Sequence, residues 1–396
     1  MQLPLSDVIV LDMSRALAGP HAGMMLGDLG ATVIKIERPG TGDDTRHWGP
    51  PFVEDSEGQE QATYYLACNR NKQSLALDLK NAYDKQVFRQ LVSRADVLIE
   101  NFRAGVMDRL GFSETTLQSI NPRLVQLSIS GFGHDGPESS RAGYDQIVQG
   151  EAGLMSLTGE PDGAPQRVGV PIADLLSGIH GVVGVLAALL ERNGTGKGKV
   201  VRTSLLASIV GVHSFQGTRQ TVAHETPTAL GNHHPSIAPY GLFHCGDGAS
   251  VQMSVGNEAL WERFCAEFDL DPTTMALENN GERVRNRDET IRFVEDAFAP
   301  FKASEVVEKL NRAGVPVGVV RNLSEVYEWE QVASQGLRVN VEHPTLGEIS
   351  LPGSPLRFFE IGGEGLTETT KQEHSPPPLL DQHRESVLRW LGSNDA

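Results

Sequence analysis

Residues 7–37 read DVIVLDMSRALAGPHAGMMLGDLGATVIKIE. Two apolar runs, Asp7–Met13 and Thr32–Glu37, enclose the polar loop Ser14–Pro20 and a helical stretch from His21 to Leu29, with Gly30 ready to close the helix. Continuous rather than alternating hydrophobicity marks strands buried on both faces, and strand, loop, helix, strand is the repeating unit of a parallel sheet. The reading is therefore α/β. The same unit recurs downstream: a strand at Leu75–Leu79, a helix from Ala82 to Arg94, a strand at Asp96–Glu100, and a strand at Leu124–Ile129.

Polar or glycine-rich turns follow each strand, bringing Arg15 and Ala18, Arg38, Asn101 and Phe102, and Gly131 and Gly133 to the carboxyl ends, where open α/β sheets bind ligands. The run of them points to a nucleotide-like ligand. No Walker pattern is present to make it an ATP site.

The longest apolar run, 179–190, is too short for a membrane span and lies in residues 169–190, GVPIADLLSGIHGVVGVLAALL, a stretch with helical spacing at Leu175, Ile179, Val182, Val183, Leu186, Leu189 and Leu190. Asp174 is the only acid of that stretch. Pro171 disfavours helix just before it, so Asp174 is expected at or near an N-cap, where backbone N–H groups and the helix dipole favour the carboxylate. Two roles stay open on these residues: a plain capping aspartate, or a nucleophile held in a dry site. Gly178, Gly181 and Gly184 leave room for another backbone to approach.

The chain has 396 residues, which favours more than one lobe, and a net charge of -17, which argues against nucleic acid as a partner. Cys68, Cys245 and Cys265 have no metal spacing and read as reduced thiols of a cytoplasmic compartment. A basic leader is missing from MQLPLSDVIVLDMSRALAG. The expected division is a large α/β domain over 1–222, a small α+β domain with its linker over 223–335, and a C-terminal segment, 336–396, returning to the first. Within the last, 362–378 reads as disordered.

Several stretches resemble the class III CoA-transferase family, which includes formyl-CoA transferase, carnitine CoA-transferase and the α-methylacyl-CoA racemases. They are LAGPHAGMMLGDLGATVIKIERPGTGDDTR (17–46), YYLACNRNKQSLALDLK (64–80), DVLIENFRAGVMDRLGF (96–112), SISGFGHDGPESSRAGYD (128–145) and VGVPIADLLSGIHG (168–181). Similarity continues through GNHHPSIAPYGLF (231–243) and EHPTLGEISLPGSPLRF (342–358). RHWGPPFV (46–53), AGYDQIV (142–148) and PPPLLDQH (376–383) look most like the succinyl-CoA:glutarate type of dicarboxylate transferase.

The resemblance implies a Rossmann-like large domain built from both chain ends, a smaller α+β domain, and an interlocked homodimer. It implies Asp174 as the nucleophile, with no metal, and coenzyme A, brought as an acyl-CoA substrate, contacted at Ala18, Arg38, Leu77, Lys80, Asn101, Phe102, Arg109 and Tyr144. Glycines near Gly131–Gly133 and Gly231 are the expected oxyanion donors. A dicarboxylate wants a cation for its far carboxylate, and Arg46, His233 and His234 are the candidates by position in matched segments.

Three departures qualify the match. GNHHPSIAPY stands where formyl-CoA transferases carry four glycines and Gln, which disfavours formate and oxalate. Arg202 replaces a frequent Asp. Gly143-Tyr144-Asp145 stands where racemases carry Gly-His-Asp, and tyrosine, with a pKa of about 10, is a poor base at neutral pH. Racemase and a non-catalytic CoA-binding protein remain the rival readings.

Overall fold

The computed structural model describes residues 3–56, 58–273, 277–363 and 365–392. It separates into two compact units, the first from Met1–Leu154, Arg167–His224 and Glu330–Ala396, the second from Met155–Gln166 and Glu225–Trp329.

The first unit opens in the predicted order, with strand β1 (Ile9–Asp12), helix α1 (Ala18–Asp28), which starts three residues ahead of the expected His21, and strand β2 (Thr32–Glu37). There follow β3 (Lys72–Ala76), α2 (Ala82–Arg94), β4 (Val97–Glu100), β5 (Val125–Ser130), α3 (Asp145–Glu151), α4 (Ile172–Thr195) and β6 (Val200–Ser204). The six strands form one sheet in the order β3-β2-β1-β4-β5-β6, and every pairing is parallel.

Successive strand residues point to opposite faces, so each face makes its own core. Val10, Val33, Val97, Ile99, Val125 and Leu127 pack against Ala22 and Leu26 of α1 and Val182 and Val185 of α4. Leu11, Ile34, Leu75 and Leu98 pack on the other side against Val87, Phe88 and Leu91 of α2. Helix α4 is 24 residues long, and by length and composition it is long and apolar enough to cross a membrane, which corrects the expectation that no run reaches that length. In the fold its inward stripe is buried in the first of these cores.

The second unit holds β7 (Tyr240–His244), β8 (Ser250–Ser254), α5 (Glu258–Glu267), α6 (Arg287–Phe298), α7 (Ala303–Ala313) and β9 (Val317–Val319). Its antiparallel sheet, β9-β8-β7, covers a core of Phe243, Val251, Trp261, Phe264, Phe298 and Leu310.

Back in the first unit lie two hairpins, β10 (Arg338–His343) with β11 (Gly347–Pro352) and β12 (Phe359–Gly362) with β13 (Gly365–Glu368). The second corrects the disordered reading of 362–378. The chain beyond it is bound along the sheet edge, where Ser375 exchanges hydrogen bonds with Asn71, and the backbone N–H groups of Ala76 and His383 reach Asp381 and the Ser74 carbonyl. Helix α8 (Arg384–Gly392) then buries Val387 and Leu391 beside α2.

Candidate active site

Asp174 lies in the first turn of α4, whose N-cap is Pro171, a residue with no side chain able to accept a bond. The cap comes instead from α3. Asp145 Oδ1 accepts from the N–H groups of Ala173 (2.8 Å) and Asp174 (3.3 Å), and its Oδ2 accepts from Gln149 Nε2 (2.7 Å). Gln149 Oε1 in turn accepts from the Val168 N–H (2.9 Å), tying the segment before α4 to the same group. The capping role predicted for Asp174 therefore belongs to Asp145.

The Asp174 carboxylate makes no side-chain hydrogen bond among the described residues. Burial first, and the like charge of Asp145 second, push its pKa up from 3.8 to about 7. This overturns the expectation that the helix terminus holds it ionised: the N–H groups that would do so are engaged by Asp145, and desolvation wins. Tyr64, on the same wall, is raised to about 12 by burial and then by Asp174.

Close helix packing brings α1 to the site. A Cβ on Gly178 would stand 2.8 Å from the Ala18 carbonyl oxygen, so only glycine lets the start of α1 lie this near the start of α4. The loop before α1 is held from beneath. Ala16 has φ of 63°, a left-handed conformation costing about 1–3 kcal/mol in a non-glycine residue. Its N–H reaches Asp43 Oδ1 (3.3 Å), while Lys35 Nζ donates to the Ser14 carbonyl (3.0 Å) and pairs with Asp43 Oδ2 (2.8 Å). Burial opposes the charge on Lys35, but Asp43, Asp12 and Glu37 outweigh it and hold its pKa well above the usual lysine range.

Two cavities meet at this loop. The first, about 540 Å³, contains Asp174 and is walled by Ala18, Tyr64, Gly131, Tyr144, Asp145 and Arg167, among others. The second, about 690 Å³, carries Arg15, Arg38, Leu77 and Lys80. Ala16, Trp48, Asn101, Phe102, Arg103 and Tyr144 line both. Asn101 is clamped to Arg15, accepting from its N–H (2.8 Å) and donating to its carbonyl (2.7 Å), and the Arg15 guanidinium lies 5.3 Å from the Phe102 ring centroid. One chamber thus offers a half-buried carboxylate. The other offers cations suited to phosphates beside apolar surface.

Of the residues picked from sequence, Ala18, Asn101, Phe102, Tyr144 and Asp174 line the first cavity, and Arg38, Leu77, Lys80, Asn101, Phe102 and Tyr144 the second. Arg109 lines neither; it is exposed on the short helix Val106–Leu110, whose first and last residues reach the second. Arg46 also lines neither. Its guanidinium is committed to Glu37 through two bonds (2.8 and 2.7 Å), to the Tyr65 hydroxyl (2.6 Å) and to the Pro378 carbonyl (3.1 Å). In the second unit, the His234 ring stacks on Tyr240 with centroids 5.1 Å apart, and His233 packs edge-on against Phe243 at 5.7 Å.

Two of the expected oxyanion donors are occupied, the Gly133 N–H by Ser130 Oγ (3.1 Å) and the Gly231 N–H by the Gly159 carbonyl (2.9 Å). Arg202 pairs with Glu114 at 2.7 Å on the exposed rim. Sequence reasoning missed Gln149, Arg167, Trp48 and Tyr64 at the site, and noticed Asp145 only as a neighbour of Tyr144; the pattern Asp145-x-x-x-Gln149, one helical turn on one face, is the signal that was available.

The family model described as CoA-transferase family III matches residues 5–384. A human protein named succinyl-CoA:glutarate CoA-transferase is 38% identical over 388 residues, 98% of this chain and 85% of its own length. A succinate-glutarate CoA-transferase of Agrobacterium fabrum is 37% identical over 391 residues, 98% of this chain and 96% of that protein. The crystal structure of a CaiB/BaiF family protein from Brucella suis superposes with a TM-score of 0.85 at 35% identity, covering 99% of this chain and 100% of that one.

Proposed function

The chain belongs to CoA-transferase family III, and on that premise we propose that it moves CoA from succinyl-CoA to a C4 to C6 dicarboxylate through covalent intermediates on Asp174. The observation that carries the mechanism is the Asp174 carboxylate itself, desolvated, without a hydrogen-bonded partner among the described residues, and titrating at about 7. With its pKa pushed up to about 7 the group is partly ionised at neutral pH, and a carboxylate stripped of donors is a stronger nucleophile than a solvated one.

Each step balances without a net proton. An Asp174 oxygen attacks the thioester carbonyl; the C–S bond breaks, giving a mixed anhydride and CoA thiolate. The thiolate attacks the aspartyl carbonyl, freeing the donor acid and leaving an aspartyl-CoA thioester. An acceptor carboxylate attacks that thioester, and the returning thiolate cleaves the new anhydride at the acceptor's carbonyl, restoring Asp174. CoA's phosphates sit with Arg38 and Lys80, its apolar portion with Leu77, Phe102 and Tyr144, and its thiol near Ala18 and Asn101. Arg109 adds a cation from the neighbouring helix. The succinyl donor rests on the activity named for the human and Agrobacterium relatives. Two chains interlock as a homodimer in this reading, and the buried free thiols of Cys68, Cys245 and Cys265 suit a reducing cytoplasm.

The test is mass spectrometry of protein quenched after mixing with succinyl-CoA. A CoA-sized adduct, or a hydroxamate after hydroxylamine, is expected on the peptide holding Asp174 and not in Asp174→Ala. Turnover without any adduct at that residue would overturn the covalent route.

A further inference from the structure

The Asp174 cavity must receive an acid that is already an anion, beside two carboxylates of its own, Asp174 and Asp145. Three arginines stand on its wall. Arg141 is neutralised, paired with Glu138 at 2.8 Å and with Glu151 at 2.5 Å. Arg103 also lines the second cavity, on the side that carries Arg38 and Lys80. Arg167 lines the Asp174 cavity but not the second, and it has no carboxylate partner among the described residues. Its Nη1 donates to the carbonyls of Val168 (3.0 Å) and Gly169 (3.1 Å), which anchors the guanidinium while leaving Nε and Nη2 available.

Arg167 is also held at a set position relative to the nucleophile. Gln149 binds the Val168 N–H, next along the chain, and the carboxylate of Asp145, while Asp145 caps the turn that carries Asp174. One polar side-chain chain therefore spans from the cation to the helix of the nucleophile. An arginine fork matches a carboxylate in two parallel bonds, a geometry lysine lacks.

We propose that Arg167 is the specificity-determining residue that binds the far carboxylate of a dicarboxylate while its near carboxylate reacts at Asp174. The inference rests on the transferase reading above and replaces Arg46, which lines neither cavity and whose guanidinium is paired with Glu37. Asp145 and Gln149 act as positioning residues that set the reach between the two ends.

The experiment compares glutarate with valerate, five-carbon acids that differ by the far carboxylate, as acceptors from succinyl-CoA. Wild type, Arg167→Gln and Arg167→Lys are assayed, with hydroxylamine trapping at Asp174 run in parallel on wild type. In Arg167→Gln the ratio of kcat/KM for glutarate to that for valerate is expected to fall roughly 10- to 100-fold, the worth of a charge-assisted pair, mostly through KM for glutarate. Arg167→Lys should recover part of the ratio. If both acids lose equally, or the ratio stays within threefold of wild type, the assignment of Arg167 is wrong while the transferase reading stands. If wild type gives no adduct with succinyl-CoA, that reading fails first.

Discussion

Replacing Asp145 by Asn tests the electrostatics of the site with little change of shape. The asparagine keeps an Oδ1 acceptor for the Ala173 and Asp174 N–H groups, so α4 stays capped. It presents Nδ2 where Asp145 Oδ2 now accepts from Gln149 Nε2, and losing that bond costs about 1 kcal/mol of stability. The negative charge goes. Asp174 is raised from 3.8 to about 7, a span of about 3, with burial the larger cause and Asp145 the smaller. Burial remains in the variant, so less than half of that span is released, about one pH unit or ~1.4 kcal/mol. The nucleophile then titrates at about 6 rather than about 7.

The ionised fraction at pH 6 rises from ~0.1 to ~0.5, while at pH 8 both proteins are nearly fully ionised. A less basic carboxylate is a weaker nucleophile, which lowers the rate at every pH by the same factor. The quantity free of that factor is the ratio of rates at pH 6 and pH 8, expected to rise about fivefold. Quenched-flow mixing with succinyl-CoA, trapping the Asp174 adduct with hydroxylamine and quantifying it by mass spectrometry between pH 5 and 9, gives the profile. An inflection that stays at about 7, or moves upward, would refute the claim that Asp145 repels the charge on Asp174.

The raised carboxyl also predicts a stability gain on its removal. Because the folded-state pKa lies above the ordinary 3.8, the wild-type fold loses stability as pH rises from about 4 through 7, and Asp174→Asn escapes that loss. Urea melts at pH 8 should show the variant more stable by about 2 kcal/mol after allowing for partial exposure, with the gap shrinking at pH 5; a variant less stable at pH 8 contradicts the assignment. Lys35→Met strands Asp43, and in part Asp12, without its buried cation. A loss of about 3–5 kcal/mol in denaturant titration is expected, with KM for the CoA substrate raised because the Ser14–Ala18 loop is no longer held. An unchanged melt would show that Asp43 is solvated.

The pattern of residues 7–37 was enough to read a parallel sheet, because strands buried on both faces need unbroken apolar runs and the connecting helices need a stripe every 3.6 residues. The helix read over Ala82–Arg94 is α2 residue for residue, for the same reason. The hairpin β12–β13 was not: its residues are mostly exposed, so no buried face imposed a period of two. The resemblance of the site stretches to the class III family marked Asp174, Arg38, Asn101 and Phe102, which the fold does set around joined cavities.

Charge state and pairing needed the tertiary structure, since these depend on which groups meet across long chain separations. Sequence alone put Asp174 at a helix start, expected that terminus to favour its ionised form, and left cap and nucleophile both open. Only the packing of α3 against α4 shows the cap to be Asp145, 29 residues earlier in the chain, leaving Asp174 desolvated and bare. Arg46 looked available for substrate until the turn after β2 folded it onto Glu37, and Arg167 went unnoticed until the fold put it on one cavity wall with Asp145 and Gly131. Hydrophobic periodicity is local and is written along the chain. The pKa of a carboxyl group and the partner of a cation are set by neighbours a few ångströms away, which the fold alone assembles.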